Sequence, residues 1–292
     1  MDFKSFIERV WVDHADDAAA VAARLHEGLP LVSDEAQIPA LAGLAHHVYG
    51  EHLGDWPAGL AFMQRLAALP ACRTDGPSGQ ALRRSGASLS LSQGAGAELS
   101  ALSTSDRIRV SAMAASNLAG RDTVRALRLF QQALDEARHS GLATADPMNR
   151  ALAVTGNALA CTLEEKTPRS ADERALMILA AQTARHHWAL AGTWLEVERA
   201  EYRLAMTWLH AGDPAQARQH AQACLDIVAA NDGAALERLF GWEALGLVER
   251  AAGNPAGHAH ALAMARTAFA QLSADDQGWC AESIAKLAST AP

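Results

Sequence analysis

The apolar positions along this chain recur at helical spacing almost throughout. In the segment 198–211, for example, Leu204, Trp208 and Ala211 stand three or four residues apart, with alanines on a related face. Such a stripe is typical of a helix that packs one side against a core. Alanine is abundant and isoleucine rare, a composition that favours helix over strand. The pattern therefore predicts an all-α protein.

Helix starts are marked by a capping residue followed by proline. Gly212-Asp213-Pro214 and Gly253-Asn254-Pro255 each combine a glycine suited to ending one helix with a cap and a proline suited to starting the next. Asp146-Pro147 repeats the start signal, and Asp55 with Pro57 gives a looser version of it. These signals predict tight turns between consecutive helices.

The segments between the turns form a predicted series of helical hairpins. The five pairs are 36–53 with 56–69, 105–119 with 122–139, 148–164 with 171–190, 193–211 with 214–230, and 235–252 with 255–272. Short helices are expected at 2–12 and 15–28, and a closing helix at 275–288. The Gly- and Ser-rich segment 72–104 interrupts the series, either as an irregular hairpin with one helix over 79–92 or as a partly mobile loop.

The last two hairpins repeat with a constant spacing. Superposing Gly212-Asp213-Pro214-Ala215 on Gly253-Asn254-Pro255-Ala256 requires a shift of 41 residues, and the flanking helices stay in register. Two helices per unit at such a period are typical of an α-solenoid.

The residues of this repeat resemble those of the tetratricopeptide repeat (TPR) family. Trp242-Glu243-Ala244-Leu245-Gly246 reproduces the Trp-x-x-Leu-Gly opening of the family, and Ala265 occupies its small position on the second helix. Two earlier units carry matching residues, namely Leu204, Ala205, Trp208, Ala217 and Cys224, and Met113, Ala114, Ala126, Phe130 and Ala133. The sequence departs from the pattern at Glu249, where an aromatic residue is usual, and at His258, where a small one is expected.

The resemblance covers 105–272 well and 36–69 loosely. It implies a right-handed superhelix of stacked hairpins, with 1–292 as a single domain, 1–70 as divergent N-terminal hairpins, 105–272 as TPR-like hairpins and 275–288 as a capping helix. It also implies a concave groove, lined by the first helix of each pair, that binds a protein or peptide. The family offsets place these residues in the groove: His46, Tyr49, Asn157, Arg199, Tyr202, Met206, Leu209, His210, Phe240, Glu243 and Leu247.

Charge and apolar run lengths limit the classes of partner. Acidic residues (33) outnumber basic ones (25), and the formal net charge is −8. A general nucleic-acid binder needs clustered Lys and Arg, which this chain does not have. No apolar run approaches the length of about 18 residues that a membrane-spanning helix needs, and the acidic start does not resemble a signal peptide. We therefore expect a cytoplasmic protein without a nucleic-acid or membrane partner.

The histidines are the first candidates for metal chemistry. His47 and Glu51 stand four residues apart, which places them on one helix face, and His52 follows directly. A third ligand would come from elsewhere, with His186 and His187 as candidates. The alternative is that these histidines are solvated or line the groove. Because no His-Glu-x-x-His motif is present, we favour that alternative and expect neither a metal nor another cofactor.

Three functional hypotheses follow. The sequence has no Gly-x-Ser-x-Gly nucleophile motif and no phosphate-binding loop, so the leading hypothesis is a non-enzymatic scaffold that binds a protein or peptide. The second is a regulatory solenoid that senses a small ligand or a signalling peptide. The third is a metal-dependent helical enzyme that uses His47, Glu51 and His52. Homodimerisation through the N-terminal third remains open.

Overall fold

A computed structural model describes residues 1–94 and 99–289 of the chain. This part of the chain contains fourteen α-helices and no strand, which confirms the all-α class. The helices are α1 (Phe3–Asp13), α2 (Ala18–Arg24), α3 (Gln37–His46), α4 (Trp56–Ala67), α5 (Pro77–Gln93), α6 (Thr104–Leu118), α7 (Thr123–His139), α8 (Pro147–Glu164), α9 (Ala171–Ala191), α10 (Trp194–His210), α11 (Pro214–Ala230), α12 (Ala235–Ala251), α13 (Pro255–Phe269) and α14 (Ala274–Ala288). A 3₁₀ helix (Leu25–Leu31) follows α2, a π-helix (His47–Leu53) continues α3, and a 3₁₀ turn (Leu99–Ala101) precedes α6.

The predicted start signals form the helix caps. The Asp213 carboxylate accepts hydrogen bonds from the backbone N–H groups of Ala215 and Gln216, at 3.1 and 3.0 Å. Asn254 and Asp55 cap α13 and α4 in the same way. The glycines ahead of these caps, at 54, 212 and 253, have φ values of 64°, 82° and 68°. Only glycine adopts this left-handed conformation without strain, so each turn ends one helix and starts the next.

The chain divides into two compact units, residues 1–142 and 143–292, called unit 1 and unit 2 below. In unit 1, α6 and α7 form the predicted hairpin, while α4 packs against α5 more extensively than against α3. The helix expected over 79–92 is present as α5, and it also packs on α3 and α6. Residues 95–98 of the predicted irregular segment lie outside the described residues. The single domain over 1–292 stays a prediction.

Unit 2 consists of three hairpins in sequence order. The pairs α8 with α9, α10 with α11, and α12 with α13 pack against each other, and α14 packs on α12 and α13. The first helices (α8, α10 and α12) also contact one another in order. Side chains about one repeat apart meet there: Tyr202 with Glu243 (41 residues apart), Arg203 with Glu164 (39) and Arg199 with Glu237 (38).

Small residues occupy the points where helices touch. A methyl group at Gly156 of α8 would lie 2.5 Å from the backbone oxygen of Ala180 in α9, so only glycine permits this approach. The alanines that the repeat pattern places at such points are all buried: Ala114, Ala126, Ala133, Ala205, Ala217 and Ala265. At the two departures from the family pattern, Glu249 is paired with Arg218 at 2.7 Å, and the His258 ring contacts the Gly246 carbonyl oxygen at 2.9 Å.

None of the described helices is both long and apolar enough to cross a lipid bilayer.

Candidate functional site

Three histidines of unit 1, called the histidine cluster below, bring their rings together. His14 lies at the end of α1, and His47 and His52 lie in the π-helix. One ring nitrogen from each lies within 4.8 Å of the others. The Nε2 atoms of His47 and His52 are 3.0 Å apart. The part of the chain that the structure describes contains this one group of three side chains that could hold a metal ion.

The π-helix places His47 and His52 on one face. A π-helix closes its hydrogen bonds between residues five apart, so these two histidines stand about one turn from each other. In an α-helix, with 3.6 residues per turn, a separation of five residues would leave them about 140° apart around the axis. The cluster therefore depends on the departure from α-helical geometry.

Two groups hold the cluster histidines through their second ring nitrogens. Nδ1 of His47 lies 3.1 Å from a carboxylate oxygen of Glu51. Nδ1 of His14 lies 2.6 Å from the backbone oxygen of Trp11. Burial alone would raise the pKa of Glu51, but the hydrogen bond from His47 and the nearby histidine charges lower it overall. The carboxylate is thus available as an acceptor.

Arg121 closes the C-terminal end of the π-helix. Its guanidinium donates to the backbone oxygens of Glu51 at 2.8 Å and His52 at 2.7 Å. These carbonyls have lost their regular helical partners, because the chain turns at Gly54. A side chain from the turn after α6 therefore fixes the segment that carries two of the three histidines.

One face of the histidine cluster is covered by an indole ring. The Trp11 ring centroid lies 5.1 Å from that of His14 and 5.3 Å from that of His47. Trp11 is 41% exposed, His52 is exposed, and the other two rings are partly exposed. The cluster therefore lies at the surface of unit 1.

His46, predicted for the groove, is buried in a polar network beside this cluster. Its Nε2 atom lies 3.1 Å from Ser88 Oγ and 3.4 Å from the Asn117 amide, and the side chain is 4% exposed. Burial lowers the pKa of His46 to about 4, so the ring is neutral at pH 7. Tyr49 is 6% exposed and donates to the Ala22 backbone oxygen at 3.2 Å. Neither side chain reaches a surface where a partner could touch it.

In unit 2, aromatic side chains of the second and third hairpins and of α14 form a row. Tyr202, Phe240 and Trp279, called the aromatic row below, contact each other edge to face, with ring centroids 5.7 and 5.6 Å apart. Tyr202 and Phe240 are half-buried, whereas Trp279 is 67% exposed. The row runs from α10 through α12 to α14. Each of these three helices therefore contributes one partly exposed aromatic side chain.

A buried glutamate, Glu243, contacts the aromatic row. The Tyr202 hydroxyl donates to Glu243, which is 4% exposed, at 3.2 Å. Burial raises the pKa of Glu243, while hydrogen bonds from Ser283 and Tyr202 oppose this effect. Burial and the neighbouring Glu243 raise the pKa of Tyr202 as well. The pair is therefore a structural hydrogen bond between α10 and α12.

A second buried glutamate joins α8 to α10. Glu164, at the end of α8, accepts from the Arg203 guanidinium and the Thr207 hydroxyl. Burial raises its pKa, and the charge of Arg203 opposes this shift. Glu198 and Cys224 form a third such pair between α10 and α11, with the thiol 2.7 Å from the carboxylate oxygen. Burial raises the pKa of both groups.

The other predicted groove residues differ in exposure. Arg199 and His210 are exposed, Asn157 is half-buried, and Met206 is 9% exposed. Arg199 pairs with Glu237 at 3.2 Å, and Arg169 contacts the His210 ring at 3.3 Å. Trp279 lies in the predicted closing helix, and no sequence motif marks it as a binding residue. Phe240 and Trp279 lie in α12 and α14, with a whole helix between them in the sequence, so no local pattern indicates that they are in contact.

The third metal ligand was expected from His186 or His187, but His14 completes the histidine cluster. His187 is buried in unit 2, where its Nδ1 atom contacts Asn149 Oδ1 at 2.8 Å. Burial lowers the pKa of His187 to about 4. Nothing in the sequence around His14 distinguishes it as a ligand, because its partners lie more than thirty residues further along the chain.

The fold places this chain in the class of all-α proteins built from consecutively packed helices. Comparison with models of known families, with curated proteins and with solved structures gives no match to the chain.

Proposed function

We propose that unit 2 is a TPR-like α-solenoid that binds a segment of a protein partner on the surface formed by its first helices. The proposal needs no catalytic group in this unit. The repeat of 41 residues supports the solenoid, because equivalent positions on successive first helices of a solenoid are neighbours. The pairing of Tyr202 with Glu243, also 41 residues apart, follows this rule.

The aromatic row carries the binding proposal. Trp279 keeps 67% of its surface exposed, although the other apolar side chains of α14, Cys280, Ile284 and Leu287, pack in the core of unit 2. Large exposed aromatic side chains are enriched where proteins bind partners, because they bury much area at a low cost in side-chain entropy. Tyr202 is fixed by Glu243, so the row is pre-organised.

The chemistry of the row selects the class of partner. Its edge-to-face rings offer apolar surface to aliphatic, aromatic or proline side chains, whereas the neighbouring Arg199 is already paired with Glu237. The expected partner is therefore an apolar protein segment.

A crosslinking experiment identifies the partner. A photoreactive amino acid replaces Arg199 on the first-helix surface or, as a control, Gln222, which is exposed on α11. The proposal expects a discrete partner that crosslinks from position 199 and not from position 222.

Affinity measurements with that purified partner then test the surface. Trp279→Ala should weaken binding at least about 10-fold, as expected for an aromatic hot spot. Met264→Ala removes an exposed apolar side chain from the second helix α13, 36% exposed, and should leave the affinity unchanged. A partner bound equally well by the Trp279→Ala and Phe240→Ala variants would contradict the proposal.

A further inference from the structure

We propose that His14, His47 and His52 form a binding site for a divalent transition-metal ion, Zn²⁺, with water as the fourth ligand. The site lies in unit 1 and does not depend on the function proposed for unit 2. Four observations support it: the distances between ring nitrogens, the partners of the other ring nitrogens, the π-helix, and the accessibility of the rings.

The ring nitrogens are spaced for one shared ion. Zn²⁺ binds histidine nitrogens at about 2.0–2.1 Å in a tetrahedral arrangement, which puts two such nitrogens about 3.3 Å apart. The Nε2 atoms of His47 and His52 are 3.0 Å apart, and the three donor atoms lie within 4.8 Å of one another. Small ring rotations bring all three to bonding distance.

The second ring nitrogens are oriented as in histidines that bind metals. A metal-ligating histidine usually donates its other N–H to a carboxylate or a backbone carbonyl, which fixes the ring and the tautomer. Nδ1 of His47 faces the Glu51 carboxylate at 3.1 Å, and Nδ1 of His14 faces the Trp11 backbone oxygen at 2.6 Å. With Nδ1 engaged in this way, the Nε2 atom of each ring carries the lone pair that can bind a metal.

The contact between His47 and His52 fits the same arrangement without metal. With Nδ1 of His47 protonated toward Glu51, its Nε2 atom accepts a hydrogen bond from N–H of His52 across the 3.0 Å separation. When a metal ion takes the place of this proton and bonds to both Nε2 atoms, the proton moves to Nδ1 of His52, so both rings stay neutral.

The backbone conformation also supports this arrangement of the histidines. The π-helix replaces the regular α-helical hydrogen bonds between residues four apart by bonds between residues five apart. Such π-helical turns are frequent at functional sites. Here it places His47 and His52 on one face, and Arg121 fixes the Glu51 and His52 carbonyls at its end. Arg121 and Glu51 are positioning residues, because neither offers a ligand atom to the cluster.

The donor set and the exposure define the ligand. Three neutral imidazoles suit Zn²⁺ and neighbouring transition metals, whereas Mg²⁺ and Ca²⁺ prefer oxygen donors. His52 is exposed and the Trp11 ring covers only one side, so solvent reaches a fourth position. Three protein ligands plus water is the arrangement of an open zinc site.

The test is a titration of the purified full-length chain, first treated with chelator, with Zn²⁺ and with Co²⁺ as a spectroscopic probe. The proposal expects one equivalent of Zn²⁺ by calorimetry. It also expects Co²⁺ to give the intense visible bands of a tetrahedral site, which one equivalent of Zn²⁺ removes.

Variants then assign the ligands. His14→Ala and His52→Ala should each weaken Zn²⁺ binding about 100-fold or more, and Glu51→Gln about 10–100-fold. The matched control is His139→Ala, which removes an exposed histidine of α7 in the same unit and should change nothing. Circular dichroism before the titration shows whether each variant keeps its helices.

Trp11 provides an independent signal. Co²⁺ should quench part of the fluorescence of the wild-type chain in proportion to occupancy, and Trp11→Phe should reduce this quenching while it keeps the metal affinity. Three results would overturn the site: no retained Zn²⁺ at one equivalent, a folded His14→Ala variant that binds as tightly as the wild type, or only the faint Co²⁺ bands of an octahedral surface ion.

Discussion

The two units bury polar groups in different ways. The buried polar side chains that the structure describes in unit 1 are neutral at pH 7, namely Ser78, Ser85, Ser88, Ser92, Ser111, Asn117 and His46. In unit 2 the buried polar set includes the glutamates at 164, 198, 201, 237, 243 and 249. Each of these carboxylates has a partner on a neighbouring helix.

This difference shows two ways of holding adjacent helices in register. Small hydroxyl side chains let neighbouring helices approach each other closely and form hydrogen bonds over short distances, as along α5 in unit 1. Buried carboxylates need an exact partner, because an unpaired buried charge costs several kcal/mol. For Glu164, Glu237 and Glu243 the partner stands about one repeat away, so these three carboxylates tie successive first helices together. Four predictions address this contrast.

The largest expected effect follows from Arg203→Leu in unit 2. The change leaves Glu164, whose side chain is 7% exposed, without its guanidinium partner, and should lower the free energy of unfolding by about 3–5 kcal/mol. Urea unfolding with hydrogen exchange at the amides of α8 and α10 measures the loss. The double variant Glu164→Leu with Arg203→Leu should recover most of it. Equal losses in the single and double variants would contradict this account.

The pH dependence comes next. The pKa of His187 is about 4 in the folded state against 6.5 for the free side chain, so the folded state favours the neutral ring. Its contribution to stability is complete above pH 6.5 and is lost as the pH falls toward 4. Between pH 7 and 5 the loss should be about 2 kcal/mol. His187→Gln should reduce the total loss by this amount, as measured by urea unfolding at both pH values, and the contribution of His46 in unit 1 should stay.

Glu243 provides the opposite control for that measurement. Its pKa is raised, so the folded carboxyl takes up a proton at a higher pH than the unfolded one, and its contribution to stability increases as the pH falls. Glu243→Gln should therefore make the loss of stability toward pH 5 steeper. A shallower loss in this variant would show that the sign is wrong.

A smaller effect is expected in the neutral network of unit 1. Ser88→Ala removes the hydroxyl that contacts both His46 and Asn117, at 3.1 and 3.3 Å, and should cost about 1–2 kcal/mol. Ser90→Ala, at a half-buried position on the same helix, serves as the control and should cost a few tenths. If Ser88→Ala cost as much as Arg203→Leu, the contrast between the two units would not hold.

The smallest effect is expected for an ion pair at the surface of unit 1. Arg107 and Glu136 are 2.7 Å apart, with about a third of each side chain exposed. Solvent screens this pair, so Glu136→Gln should cost about 0.2–1 kcal/mol and less in 1 M salt. Thermal unfolding at two salt concentrations measures the difference. A loss comparable to that of the buried pair would mean that burial does not set the cost.

Helix limits and pairing in unit 2 were predictable from the sequence because their signals are local. The caps at 213 and 254 and the glycines before them fix where helices begin and end, and the period of 41 residues fixes which positions recur. The carboxylate partners were not predictable. Tyr202 and Glu243 were both predicted as groove residues, and no local sequence signal indicated that they form a hydrogen bond with each other.

The structure of unit 1 was predicted less well because it is determined by tertiary contacts that have no local sequence signal. The segment 72–104 has a loop-like composition, yet its small side chains allow α5 to pack closely on α3. That contact covers His46, which the family offsets had placed in the groove. The π-helix has no sequence signature of its own, so His47, Glu51 and His52 were grouped from their spacing in the sequence, and His14 was missing from that group.

The cysteines report on the two units separately. Cys224 and Cys280 are buried with raised pKa values, so they are poor nucleophiles and resist alkylation while unit 2 stays closed. Unit 1 contains only Cys72, which is half-buried. Alkylation of Cys224 and Cys280 in a brief pulse of iodoacetamide, read by mass spectrometry, therefore counts molecules in which unit 2 has opened, independently of unit 1. The contact of Cys224 with Glu198 thus makes an unmodified wild-type chain its own reporter of local unfolding.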